Sequence, residues 1–182
     1  MFTYLLTPRL MLRRLQLTDT GAMFAYRSDP LVARYQGWEV PSREKIQAFI
    51  QEQLNLEMDT PGTWFQVGIT LRASGDLLGD CGLHFPQHDP RQAEVGITLA
   101  RTYQGKGYAS EALAAVLRYI FMTLGKHRVT ASVDPRNKPS LVLMEHLGFR
   151  QEAHFRQSLW FKGEWADDII FGLLESEWKV RN

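Results

Sequence analysis

One cysteine, Cys81, stands among 182 residues. With no second thiol there is no intramolecular disulfide, and no Cys/His pairs fall at zinc-site spacing, so a disulfide-stapled secreted module and a zinc finger are both excluded. The site chemistry is expected to need no metal. An excess of either charge is also missing: 21 Lys+Arg against 20 Asp+Glu leave a net +1, no surplus for neutralising a run of phosphates, and nucleic acid is not an expected partner. Long apolar runs are lacking, the stretch Ile169-Ile170-Phe171-Gly172-Leu173-Leu174 falling far short of the roughly 20 residues that span a bilayer. The start, Met1-Phe2-Thr3-Tyr4-Leu5-Leu6, has no basic leader and no apolar segment ending at a small-residue cleavage site. No signal peptide and no membrane partner are expected, and a cytoplasmic location is the default.

What is present suits a folded chain: 45% hydrophobic and 12% aromatic residues, at a length that buries roughly 70% of the surface exposed on unfolding. Leu10 and Leu12 alternate with Arg9 and Arg13 as a half-buried strand requires, and Asp19 reads as a helix N-cap. Ser42 opens a helix whose apolar residues, Ile46, Phe49, Ile50 and Leu54, share one face. Residues 64–71, 77–85 and 93–100 form three consecutive strands, the first two joined by a turn at Ser74-Gly75-Asp76. Leu113, Val116, Leu117, Ile120, Phe121 and Leu124 then repeat at helical spacing up to Gly125. A strand at 129–133 follows, so residues 93–133 read as a strand-helix-strand unit with parallel strands. A short helix over 140–147, a strand from Phe149 and a turn at Lys162-Gly163-Glu164 complete the layout. The expected fold is α+β, a mixed and mostly antiparallel sheet flanked by helices, as one domain over residues 1–182.

The most informative segment is Gln104-Gly105-Lys106-Gly107-Tyr108-Ala109, because it follows a strand and opens the long helix. A helix N-terminus presents unpaired N–H groups and the positive end of its dipole, and glycine lets that backbone approach an anion. A phosphate ligand is the chemical expectation; a tight strand-to-helix connection is the plainer one. Gly107 stands where a Walker A loop needs Ser or Thr, which excludes a P-loop NTPase. Ser110 replaces the third dinucleotide glycine, and His127-Arg128-Val129 stands where that fingerprint needs an acid.

Gln104, Gly107 and Ala109 match the acyl-CoA loop of the GNAT superfamily, which the whole segment resembles. Ala93-Glu94-Val95-Gly96 before it, and Asn137-Lys138-Pro139-Ser140 and Leu147-Gly148-Phe149 after it, fall in the family's order. The two ends, Thr7 to Arg13 and Gly163 to Asp168, look like the branch of ribosomal-protein N-acetyltransferases, the RimJ/RimL-like group. The resemblance implies acetyl-CoA as co-substrate and acetyl transfer to a primary amine. It implies a splayed parallel strand pair on which Ile97, Thr98 and Leu99 bind the pantetheine arm, with Gln104, Gly105, Lys106, Gly107, Tyr108, Ala109 and Ser110 around the pyrophosphate and Asn137 bonding the arm. Glu94 resembles the family's general base, and on a strand it shares a face with Gly96 and Thr98; a surface carboxylate is its plainer reading. Met144 stands where many members carry a tyrosine that protonates the leaving thiolate, so Ser140 is the expected donor, unless its hydroxyl merely bonds backbone. Tyr35 and Trp38 lie in the segment that in this family covers the acceptor, and His84 is placed to face the cleft. Glu164, Asp167 and Asp168 read as a solvated hairpin with a lesser role in steering a cationic amine, and Cys81 as a buried hydrophobe. A protein N-terminal α-amine is the first expected acceptor, a polyamine, amino acid or antibiotic the alternative. A non-catalytic acyl-CoA-binding domain and a nucleotide-binding regulator are the rivals. Monomer or homodimer stays open.

Overall fold

Strands form where apolar residues alternate with polar ones, and the alternation decides which side of the sheet each residue enters. The computed structural model describes residues 2–38 and 41–181; the end of the aromatic-bearing stretch before Pro41 and the two chain termini lie outside them. The strands are β1 (Tyr4–Leu6), β2 (Leu10–Arg14), β3 (Thr63–Leu71), β4 (Leu77–Phe85), β5 (Gln92–Leu99), β6 (Arg128–Val133), β7 (Arg150–Phe161) and β8 (Glu164–Leu174). They make an eight-stranded sheet in the order β1-β2-β3-β4-β5-β6-β8-β7. Its neighbours are antiparallel except β5 and β6, which run parallel, as the strand-helix-strand pattern predicts.

The helices are α1 (Thr20–Arg27), α2 (Pro30–Ala33), α3 (Arg43–Asn55), α4 (Tyr108–Met122), α5 (Lys138–His146) and α6 (Glu175–Arg181). Helix α4 buries Leu113, Val116, Leu117, Ile120 and Phe121 with Phe65, Val67, Cys81, Leu83, Val95 and Val129 of the sheet. Each such side chain contributes about 1.5–3 kcal/mol through lost apolar exposure. On the opposite face a smaller core gathers Met23 and Tyr26 of α1 and Ile46 and Ile50 of α3 around Leu15 and Leu77. On that second face the sheet continues into a strip of polar side chains, Gln66, His84, Glu94, Thr130 and Ser132.

Several local expectations shift. Asp19 holds the N-cap position of α1 but makes no side-chain cap bond; its carboxylate instead accepts from the Gln16 N–H at 2.7 Å and pairs with Arg13 at 2.8 Å. Leu54 is left exposed on α3 while Gln53 is buried. The reason is backbone satisfaction: β2 pairs β3 only over residues 67–71. Beyond that, Gln53 Nε2 donates to the Trp64 carbonyl at 3.1 Å and Gln53 Oε1 accepts from the Gln66 N–H at 2.8 Å, replacing a missing strand. Helix α5 starts at Lys138 rather than Ser140, because the Asn137 side chain caps it, accepting from the Ser140 N–H at 3.4 Å, and Pro139 suits its first turn.

Candidate active site

The loop before α4 is held open by its glycines and by a residue far away in the sequence. Gly105 has φ 71° and Gly107 φ 77°, left-handed values that disfavour a side chain. A Cβ on Gly105 would meet nothing within 4 Å, and Tyr108, Ala109 and Ser110 of the first α4 turn border a cavity. Glu111 in that turn accepts from Thr7 Oγ1 at 2.6 Å, from the Arg9 N–H at 2.9 Å and from Arg9 Nε at 2.6 Å. These bonds hold its carboxyl below the usual range against the opposing effect of burial. Arg9 also donates to the Lys106 carbonyl at 3.0 Å and covers the Tyr108 ring at 4.4 Å. The chain start thereby clamps the loop from behind.

Strands β5 and β6 pair only at Gln92/Arg128, Ala93/Val129 and Glu94/Thr130. Past Glu94 they part, and the β5 edge no longer matched by β6 leaves backbone N–H and C=O groups facing the gap, available to an amide-rich ligand. A cavity of about 720 Å³ follows this gap from the α4 N-terminus to α5 and α2. Its lining brings together Ile97, Thr98, Leu99, Gln104, Gly105, Gly107, Tyr108, Ala109, Ser110, Asn137, Ser140 and Tyr35. Lys106 is exposed outside the lining, its ammonium 5.7 Å from the Tyr103 ring centre. Gln104 spends its amide on the Leu99 carbonyl at 2.9 Å, tying strand end to loop. Among the described residues nothing bonds Ser140 Oγ, so that hydroxyl is free to face the cavity. Met144 is buried in the α4-side core and has no proton to give.

Glu94 and His84 lie on the polar face beside the gap. Cross-strand register puts Trp64, His84, Glu94 and Thr130 in one row, and Gln66, Gly82 and Gly96 in the next. The Trp64 ring stacks on His84 with centroids 5.0 Å apart. Glu94 Oε2 stands 3.7 Å from His84 Nδ1, beyond a direct hydrogen bond, and Nδ1 is buried with no partner among the described residues. Burial pushes the Glu94 carboxyl up; the His84 ring pulls it down and the Asp168 charge pushes it up again, for a net rise. A raised carboxyl suits a general base better than an ordinary one. A Cβ on Gly96 would meet nothing within 4 Å, so there is open room immediately beside Glu94.

The rim is latched. Tyr35 Oη donates to the Arg136 carbonyl at 3.3 Å, Arg136 pairs with Glu164 at 2.6 Å and with Asp134 at 2.7 Å, and Lys162 in the β7–β8 turn donates to the Ala33 carbonyl. Trp38 sits deeper, its ring 4.4 Å from the Arg27 guanidinium, which pairs with buried Asp80 at 2.8 Å while Tyr26 Oη donates to the same carboxylate at 2.5 Å. Asp168 is not the solvated hairpin residue the sequence suggests. It is buried, and Ser132 Oγ donates to its Oδ1 at 2.6 Å. Asp167, on the other face, accepts from the Gln157 N–H at 2.8 Å and pairs with His154 at 2.7 Å. Arg9, Glu111, Trp64 and Ser132 escape the sequence reading because their partners are distant in the chain; only the resemblance at Thr7 to Arg13 hinted at Arg9. Burial pushes the Cys81 thiol well up, which leaves it inert at neutral pH. The described residues contain no His/Cys/Asp/Glu group able to hold a metal ion, and none of their helices is long and apolar enough to cross a membrane.

Comparison with known proteins bears on this arrangement. A family model described as "Acetyltransferase (GNAT) domain" matches residues 9–150. The chain is 33% identical to the uncharacterized N-acetyltransferase p20 of Bacillus licheniformis over 174 residues, 96% of this chain and 97% of the relative. It is 36% identical over 84 residues to the ribosomal protein uS5-alanine N-acetyltransferase of Escherichia coli, a match covering 46% of this chain and 43% of that enzyme. The crystal structure of a GNAT-family acetyltransferase from Bacillus anthracis superposes with a TM-score of 0.85 at 29% identity, covering 96% of this chain and all of the other (100%).

Proposed function

The chain belongs to the GNAT N-acetyltransferases, enzymes that use acetyl-CoA, and from that premise we propose that its acceptor is the α-amine of a protein N-terminus, acetylated by direct attack in a ternary complex. The observation that carries the reading is the cavity running from the α4 N-terminus through the β5–β6 gap to Ser140, with Glu94 on the strand face beside it. Acetyl-CoA supplies an activated thioester. The α4 first-turn N–H groups hold its pyrophosphate, and the free β5 edge at Ile97, Thr98 and Leu99 orients its arm and polarises the acyl carbonyl. Glu94, through the room beside Gly96, accepts the proton the amine loses as its nitrogen bonds the acyl carbon. Ser140 passes a proton to the thiolate as the carbon–sulfur bond breaks. His84 and Trp64 wall the acceptor side, and Tyr35 with its partners roofs it.

The aligned Escherichia coli relative is named for an alanine of ribosomal protein uS5; alanine has no side-chain amine, which favours an α-amine over a small free amine. An α-amine, with a reference pKa of about 7.7–8.0, also needs less help from a base than a lysine does. The experiment is thiol release from acetyl-CoA against a panel: a peptide with a free α-amine and no lysine, an α-blocked peptide with one lysine, a polyamine and a free amino acid. The α-amine peptide is expected to show the highest kcat/KM, by about tenfold or more. A faster polyamine would move the enzyme to small-amine acetylation. Tight CoA binding without thiol release against any acceptor would make the chain an acyl-CoA binder.

A further inference from the structure

On the polar face of the sheet most carboxylates already have a cation or a donor network, and Asp168 differs from them. Asp80 is neutralised by Arg27 and Tyr26, and Asp134 at the rim by Arg136. Asp168 is 9% exposed, and among the described residues its one hydrogen bond comes from the neutral Ser132 hydroxyl, on Oδ1; no cation pairs with it. A carboxylate this buried and without a cation would hold an incoming cation strongly.

Register relates Asp168 to Glu94. Glu94 is level with Thr130, Ser132 lies two residues along β6 on the same face, and Ser132 pairs with Ile170 of β8, two residues from Asp168. Glu94 on β5 and Asp168 on β8 therefore lie on one face of the sheet, on either side of β6, with open room above Gly96 beside Glu94, and the Asp168 charge pushes the Glu94 carboxyl up. Ser132 is exposed in this cleft and fixes one oxygen of Asp168, leaving the other free to accept.

We propose that Asp168, oriented by Ser132, is a specificity residue that binds the acceptor amine as its ammonium ion opposite Glu94. The inference rests on the acetyl-transfer reading of the same cleft and adds what that reading lacks, a group that selects a protonated primary amine before Glu94 takes a proton from it. Glu94 then serves the chemical step and Asp168 serves capture. An ammonium donates a charge-assisted hydrogen bond to the Asp168 carboxylate, which a neutral isostere without N–H donors cannot do.

The test separates the two roles by KM against kcat. Asp168→Asn keeps the shape and removes the charge; it should raise the KM for an α-amine peptide about tenfold while the KM for acetyl-CoA is unchanged and kcat stays within about threefold. Ser132→Ala, at an exposed position, should raise the same KM by a smaller factor, and if the Asn variant fails to fold it carries the test alone. A second measurement needs no turnover: calorimetry of the CoA-saturated protein with the free α-amine peptide and with its desamino counterpart. The wild type should bind the ammonium peptide about tenfold more tightly, and Asp168→Asn should erase the difference. If no acceptor is turned over yet this difference appears and is erased, catalysis fails as a reading and the ammonium site stands. If turnover is normal and neither variant moves the acceptor KM, or the wild type does not discriminate the two peptides, Asp168 is structural and the proposal is overturned.

Discussion

Gly107 is the position where one residue's backbone decides whether the loop can exist. Its φ of 77° lies where a β-branched side chain is strongly disfavoured, and in the proposed site the same backbone points the first N–H groups of α4 at an anion. Gly107→Val should therefore cost about 1–3 kcal/mol of stability through local strain and weaken CoA binding about 100-fold or more, while unfolding stays cooperative. Calorimetry with CoA checks it, and an unchanged affinity would remove this loop from the site. Gly107 was legible because its role is local: glycine, then helix, is written in consecutive letters. Glu111 and Arg9 were not, because the bond between them closes over 102 residues and nothing near either residue announces it. Asp168 shows the same limit from the other side. Its polar neighbours Glu164 and Asp167 suggest an exposed hairpin, but strand alternation turns Asp168 inward onto Ser132 and Asp167 to the opposite face.

At the scale of elements, β3, β4 and β5 act as a floor, on which two glycines, Gly82 and Gly96, face each other and add no side chain. Over Gly82 lies the Trp64 ring: a Cβ there would come within 3.1 Å of it and 2.9 Å of Gln66 Nε2. Gly82→Ala must push Trp64 aside, and His84 then loses the ring stacked on it at 5.0 Å. The overpacking should cost about 1–3 kcal/mol, and steady-state kinetics should show kcat/KM for the acceptor falling several-fold with the acetyl-CoA KM unchanged. A drop in acetyl-CoA affinity instead would mean that Trp64 belongs to the other side of the gap. The strands of this floor were legible from two-residue alternation, and α4 from its long apolar stripe. The short elements β1, α2 and α6 were not, since three, four and seven residues give periodicity too little length to register. Buried Gln53 misleads the same kind of reading, because a polar residue inside an apolar stripe reveals its purpose only when the unpaired strand edge it serves is seen.

For the whole molecule, the sheet carries an apolar core on each face, and the proposed reaction site lies on a polar strip beside the smaller of them. Such a site is held at a cost to stability, and Glu94 makes the cost measurable. Its carboxyl is raised by burial and by Asp168, with His84 opposing, so the folded chain binds this proton more tightly than the unfolded chain does. The sign follows: the protonated group's contribution is complete below the unfolded carboxylate pKa, about 4.3, and is lost as pH rises through the higher folded value. At neutral pH, ionised Glu94 therefore destabilises the fold. Glu94→Gln, which is permanently neutral, should melt at a higher temperature than the wild type at pH 7, and the gain should vanish as pH falls below the ordinary carboxylate range. The same substitution removes the proposed base, so kcat should fall, by on the order of 10²-fold at most for an α-amine peptide and more steeply for a lysine-like amine, with partial recovery as rising pH deprotonates the amine without help. Melting curves and pH–rate profiles on the two proteins measure both halves. A variant that is less stable at pH 7 would show that Glu94 is paired rather than strained, and unchanged rate profiles would pass the role of base to His84 or to a chain of waters.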